Sequence, residues 1–116
     1  MSIDRLPPQS IEAEQSVLGA LLIDRDAVIE VAELLRPEDF YRQAHGTIYA
    51  AVIELSERRE PVDLVTVSEV LERQGLLEAV GGAAYLTSLI NLTPTAVNAV
   101  YYARIVERKA VLRGLI

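Results

Sequence analysis

Apolar residues recur along most of the chain at the three- and four-residue spacing of an α-helix. In the first segment, Ile11, Leu18 and Leu22 share one face, and Ser10 precedes them as a typical helix N-cap. The same spacing predicts further helices over about 24–35, 42–59, 66–74, 85–90 and 95–116. The predicted fold class is all-α.

The breaks between these segments are also typical of helices. Pro37, Pro61 and Gly75 stand where predicted helices stop, and the glycine pair at 81–82 breaks the chain before the next one. Residues 66–69 have the spacing of a capping box, and they predict the start of the fourth helix. Only residues 63–65 could form a strand, and a lone strand has nothing to pair with.

Gly19 interrupts the first apolar segment. Glycine is unfavourable inside a helix, so its presence predicts that another element crosses closely there.

The last predicted helix is apolar around most of its circumference, which is unusual for the surface helix of a small domain. The residues concerned are Val97, Val100, Tyr101, Ile105, Val111, Leu112 and Ile116. A helix of this kind is buried on several sides, which predicts a contact with another subunit. The sequence stops inside this helix without a cap, and we therefore expect it to continue in a longer protein.

The charge and the cysteine content of the chain exclude several classes of function. The 116 residues include 11 basic and 17 acidic residues, a net charge of −6, so the molecule as a whole is not expected to seek nucleic acid. With no cysteine and one histidine, a disulfide framework is excluded and a metal site is not expected. No apolar run approaches the roughly 20 residues of a membrane span, and we expect a cytoplasmic protein.

The sequence contains few candidate catalytic residues. Lys109 is the only lysine and no glycine-rich phosphate loop precedes it, so the sequence predicts no nucleotide site, no cofactor and no enzymatic activity for these residues. His45 lies on the apolar stripe of its helix. We therefore favour a hydrogen-bonded core histidine over a catalytic one, because no convergent partner is visible in the sequence.

Two segments of the chain that could bind nucleic acid differ in charge. A helix-turn-helix over 63–90 is excluded, because that segment has four acidic residues and one arginine. Residues 104–116 have the opposite balance, and the candidate DNA or phosphate contacts are Arg104, Arg108, Lys109 and Arg113. Ion pairs between subunits are the alternative explanation, and we favour it.

Tyr85 is the aromatic residue that most resembles a protein-binding hot spot. It follows the small residues 81–84, which are expected to leave one face of its ring uncovered. Ordinary core packing is the alternative.

Several blocks of the sequence, taken in order, resemble the N-terminal domain of the bacterial replicative DNA helicases of the DnaB family. The first is LPPQSIEAEQSVLG at 6–19. The others are FY at 40–41, AH at 44–45, IY at 48–49, EPVDLVTV at 60–67, GG at 81–82 with YL at 85–86, and Asn98 with YYARIV at 101–106.

The resemblance implies a helical head over 1–94 with an extended arm over 1–9, followed at 95–116 by the first arm of a helical hairpin. It implies a collar on a hexameric ring that docks the C-terminal domain of primase. The ATPase of such a helicase, with ATP and Mg²⁺, belongs to a RecA-like C-terminal domain that these residues do not include. A helicase loader and single-stranded DNA passing through the ring are further implied partners.

We therefore expect a non-catalytic domain that serves ring assembly and primase recruitment. The candidate subunit or hairpin contacts are Tyr101, Ile105, Leu112 and Ile116, and the candidate primase contacts are Tyr85 and Ile116. The alternative is a single-stranded DNA-binding module that uses the basic last helix.

Overall fold

The computed structural model describes residues 8–93 and 95–114, and these residues form six α-helices and one 3₁₀ turn, without a strand. The 3₁₀ turn is Pro37–Asp39, and the helices are α1 (Ile11–Ile23), α2 (Asp26–Ala32), α3 (Gln43–Glu57), α4 (Leu64–Arg73), α5 (Gly82–Leu92) and α6 (Ala99–Gly114). The predicted all-α fold class is confirmed. None of the helices in the described ranges is long and apolar enough to span a membrane.

Helix α1 lies at the centre of the fold. It contacts α2, α3, α5 and α6, and it contains the longest apolar run of the sequence, at 17–23. Val17, Leu18 and Leu21 are each 0% exposed, because neighbouring helices cover α1 on several sides. Ser10 caps this helix as predicted, and its hydroxyl accepts a hydrogen bond from the Ala13 N–H.

The close crossing predicted at Gly19 is confirmed. A Cβ added at this position would overlap the Leu89 carbonyl oxygen and the Thr93 hydroxyl, at the end of α5. Only glycine therefore lets α5 lie directly on α1.

The start of α4 differs from the prediction in two ways. Asp63 is the N-cap: its carboxylate accepts from the Thr66 N–H, while the Thr66 hydroxyl accepts from the Asp63 N–H. The capping box therefore begins at Asp63 and not at Thr66. Leu64 and Val65, which the sequence analysis placed before this helix, form its first turn. At the other end, Gly75 adopts a φ of +74° after the last turn, as predicted.

Helix α6 starts later than predicted. Residues 95–98 form a turn in which the Val97 N–H donates to the Thr95 hydroxyl, and the helix begins at Ala99. It then packs along α1 and α2. The division into a head at 1–94 and a hairpin arm at 95–116 stays a prediction.

Candidate interaction site

A carboxylate and an imidazole form a buried pair at the junction of α1 and α3. Glu14 is 1% exposed and His45 is 0% exposed, and 2.7 Å separate Glu14 Oε1 from His45 Nδ1. The second carboxylate oxygen of Glu14 accepts a hydrogen bond of 2.6 Å from the Tyr41 N–H, just before α3. The pair therefore ties the first turn of α1 to the start of α3.

Tyr85 of α5 completes this network. Its hydroxyl lies 2.6 Å from His45 Nε2 and accepts a hydrogen bond of 3.2 Å from the Gln15 side-chain amide. The His45 and Tyr85 rings are nearly parallel, with an angle of 9° between their planes and 5.9 Å between their centroids. Three helices thus meet at one hydrogen-bonded chain, which we call the Glu14–His45–Tyr85 network.

Gly81 makes room for the Tyr85 side chain. Gly81 has a φ of +110°, and a Cβ at this position would lie 2.7 Å from the Cβ of Tyr85. Of the small residues before Tyr85, Gly81 is therefore required by the packing of its side chain. Tyr85 is half-buried, with one ring face on His45 and its hydroxyl hydrogen-bonded, so it contributes to the packing of the domain as well as to its surface.

The prediction for His45 is confirmed, since both ring nitrogens have hydrogen-bond partners and the side chain is enclosed. Sequence reasoning missed Glu14 and assigned it only to the acidic first turn of α1. A signal existed, because Glu14 precedes Val17, Leu18 and Leu21 at helical spacing and so shares their buried face. The enclosure also means that no substrate reaches this acid–base pair in the structure.

Helix α6 has apolar residues on two opposite sides. Ala99, Ala103 and Val106 face the core and are 0–3% exposed. The opposite side presents Tyr101, which is 64% exposed, and Leu112, which is 42% exposed, and Ile105 beside them is half-buried and also packs against the core. We call Tyr101, Ile105 and Leu112 the outer α6 face. The fourth predicted contact, Ile116, lies outside the described residues.

The basic residues of α6 fall into two groups. Arg104 and Arg108 are exposed and Lys109 is half-buried, and the part of the chain that the structure describes gives none of them a carboxylate within salt-bridge distance. Arg113 is engaged within the chain: its guanidinium donates to the carbonyl oxygens of Pro8 and Asp39. It also lies over the Tyr41 ring, 5.6 Å from its centroid.

The outer α6 face is the kind of exposed apolar surface that marks a protein-binding domain. In the described ranges, no group of three His, Cys, Asp or Glu side chains could hold a metal ion. The fold and the site together thus define an all-helical domain with an exposed apolar face on its last helix.

Comparison with known proteins assigns the family. A family model described as the DnaB-like helicase N-terminal domain matches residues 6–108, and the chain belongs to this family.

Curated relatives agree with this assignment. The chain is 56% identical over 113 residues to the replicative DNA helicase DnaC of Bacillus subtilis and 55% identical over 113 residues to DnaB of Geobacillus stearothermophilus. Both alignments cover 97% of this chain and 25% of the relative, so the chain spans about a quarter of the length of these proteins.

Two solved structures share the fold. The crystal structure of the N-terminal domain of DnaB helicase from Mycobacterium tuberculosis superposes with a TM-score of 0.92 at 55% identity, over 95% of this chain and 80% of that one. The N-terminal domain of DnaB helicase from Helicobacter pylori, whose structure is described together with its interactions with primase, gives a TM-score of 0.74 at 21% identity, over 89% of this chain and 80% of that one.

Proposed function

We propose that this chain is the N-terminal interaction domain of a hexameric, ATP-dependent replicative DNA helicase, where it assembles the ring and recruits primase. Its membership of the DnaB-like helicase N-terminal family supports the proposal. In such a helicase a separate motor domain uses ATP and Mg²⁺, and the domain described above supplies protein contacts.

The two-sided apolar character of α6 is the observation that carries this proposal. The inner side is already satisfied by packing on α1 and α2. Tyr101 and Leu112 lie on the opposite side, 11 residues or about three turns apart, so together with Ile105 they form a continuous stripe. A second copy of this chain is the partner that we propose for this stripe, because closed homo-oligomers bury such faces against each other.

Replacement of Tyr101 or Leu112 by lysine tests this contact. Each change places a charge on the outer α6 face and, because a buried charge must be desolvated, should weaken self-association at least about tenfold. Sedimentation equilibrium of the 116-residue chain measures the effect. Val65→Lys is the matched control, because Val65 is a 73% exposed apolar residue on α4.

Two results would contradict the assembly role. One is a wild-type chain that stays monomeric up to about 1 mM, where association is worth only about 4 kcal/mol. The other is self-association that Tyr101→Lys, Leu112→Lys and Val65→Lys reduce equally.

Primase is the second partner that we propose, with the α5 surface around Tyr85 as its contact. The primase interactions described for the Helicobacter pylori domain support this choice. Tyr85 offers an aromatic ring that is already ordered by its hydroxyl and by His45, so little side-chain entropy remains to be lost on binding. Ile116 stays a predicted contact.

A second candidate function is single-stranded DNA binding through Arg104, Arg108 and Lys109, which carry no salt bridge in the described ranges. This function predicts that a fluorescent oligonucleotide binds at low salt and that its affinity falls steeply as salt rises. Arg104→Gln together with Arg108→Gln should reduce the salt slope. Anisotropy that does not change on titration at low salt would eliminate this candidate for the chain.

A further inference from the structure

Glu14, at one end of the Glu14–His45–Tyr85 network, sets the direction of the hydrogen bonds in it. A carboxylate only accepts hydrogen bonds, and Glu14 already accepts one from the Tyr41 N–H. The hydrogen between Glu14 Oε1 and His45 Nδ1, 2.7 Å apart, therefore belongs to Nδ1.

This placement determines the next hydrogen bond. When the imidazole carries a single hydrogen and that hydrogen is on Nδ1, Nε2 is an acceptor, and the Tyr85 hydroxyl, 2.6 Å away, then donates to it. The hydroxyl oxygen keeps its lone pairs for the Gln15 amide, which donates to it. With the opposite tautomer, an imidazole lone pair would face the carboxylate and two donors would converge on the Tyr85 oxygen.

We propose that Glu14, acting through His45, is a positioning residue for Tyr85. By holding the hydrogen on Nδ1, the carboxylate makes Nε2 the acceptor that anchors the Tyr85 hydroxyl, and this keeps the ring parallel to His45 at the α5 surface. The consequence for primase affinity rests on the function proposed above, whereas the direction of the hydrogen bonds does not.

The tautomer is directly measurable, because the chain has a single histidine. In a ¹⁵N-labelled chain, the long-range ¹H–¹⁵N spectrum contains one imidazole, and its two nitrogens show which one carries the hydrogen. We expect Nδ1–H in the wild type. A wild-type spectrum with the hydrogen on Nε2, or with a hydrogen on each nitrogen, overturns the proposal, because Nε2 is then not an acceptor.

Glu14→Gln is the decisive variant, because it keeps the shape of the side chain and adds a donor. Its amide oxygen can still accept from the Tyr41 N–H, which leaves the NH₂ group facing Nδ1 and should transfer the imidazole hydrogen to Nε2. Glu30→Gln, an exposed α2 residue with the same change in charge, is the control and should leave the spectrum unchanged. If Glu14→Gln keeps the wild-type tautomer, Glu14 does not set it.

A double-mutant cycle then separates positioning from general destabilisation. Glu14→Gln should weaken binding to the C-terminal domain of primase by about threefold to tenfold, the value of one hydrogen bond. Tyr85→Phe keeps the ring and removes the hydroxyl, so in its background Glu14→Gln should have no further effect. Equal losses of affinity in both backgrounds would mean that Glu14 acts through the fold as a whole, and would overturn the proposal.

Failure of the proposed function has a separate signature. If neither the wild-type chain nor the Glu30→Gln control binds primase, the recruitment role is wrong. The proposed effect of Glu14 on primase affinity is then wrong as well. The tautomer experiment still decides whether Glu14 positions Tyr85. Circular dichroism of each variant shows whether it folds. If Glu14→Gln does not fold, Tyr85→Phe gives a second test of the network.

Discussion

At the scale of single residues, Tyr49 shows how a buried polar group is held in the core. Its side chain is 0% exposed, its hydroxyl donates to the Leu35 carbonyl oxygen over 2.9 Å, and its ring packs 5.0 Å from that of Phe40. Burial, with a smaller contribution from the negative charge of Asp39, raises the pKa of the Tyr49 hydroxyl well above its usual value. The hydroxyl therefore stays protonated in the folded chain.

This raised pKa makes stability depend on alkaline pH. In the unfolded chain Tyr49 ionises at about pH 10, whereas the folded chain keeps the proton, so the free energy of unfolding should fall as the pH rises above about 10. Tyr49→Phe should cost about 1 kcal/mol near pH 7 through the lost hydrogen bond, and the variant should lose stability less steeply above pH 10. Urea unfolding followed by circular dichroism between pH 7 and 11 measures both effects.

Tyr101→Phe is the control for this experiment, because Tyr101 is largely exposed. Its unfolding free energy should follow that of the wild type at every pH. If the curve of Tyr49→Phe runs parallel to that of the wild type above pH 10, the account of the buried hydroxyl is wrong.

Single-residue predictions from the sequence were uneven for a physical reason. The position of His45 on an apolar stripe indicated burial, and the structure confirms it. Its partner Glu14 was missed, because a carboxylate near a helix start fits the helix dipole equally well without burial. The helical spacing from Glu14 to Val17 and Leu18 indicated its buried side, but only the contact with His45, 31 residues away in sequence, identifies its partner.

At the scale of elements, local signals located the helices well and their first turns less well. For α4, the sequence offers hydroxyl and carboxylate residues three apart at both 63–66 and 66–69, and either set can cap a helix. The structure uses the earlier set, in which Asp63 and Thr66 satisfy each other's N–H groups. Spacing alone cannot decide between two overlapping caps, and the same ambiguity produced the strand alternative at 63–65.

The orientation of α6 could not be derived from hydrophobicity. The sequence showed that this helix is apolar on several sides, but larger side chains would ordinarily be placed inside. In the structure, Ala99 and Ala103 face the core and Tyr101 and Leu112 face outward. Small residues on the inner side let α6 pack closely on α1, so the larger ones are left for another surface.

At the scale of the whole molecule, charge distinguishes the two candidate functions. The chain carries a net charge of −6, and four of its 11 basic residues lie in α6. Repulsion from the acidic body opposes binding of a polyanion, and Arg113 is already used to join α6 to Pro8 and Asp39. The apolar outer face of α6 and the ordered Tyr85 ring on α5 do not depend on net charge, which favours protein partners.

The central claim is that this chain works by binding other proteins. Sedimentation equilibrium of the 116-residue chain mixed with the C-terminal domain of primase tests it most directly, at about 10 μM of each, since a Kd in the micromolar range then gives a substantial complex. We predict a species whose mass includes both proteins, and its loss when Tyr85 is replaced by alanine. Two components that sediment at the masses they have alone would contradict this account.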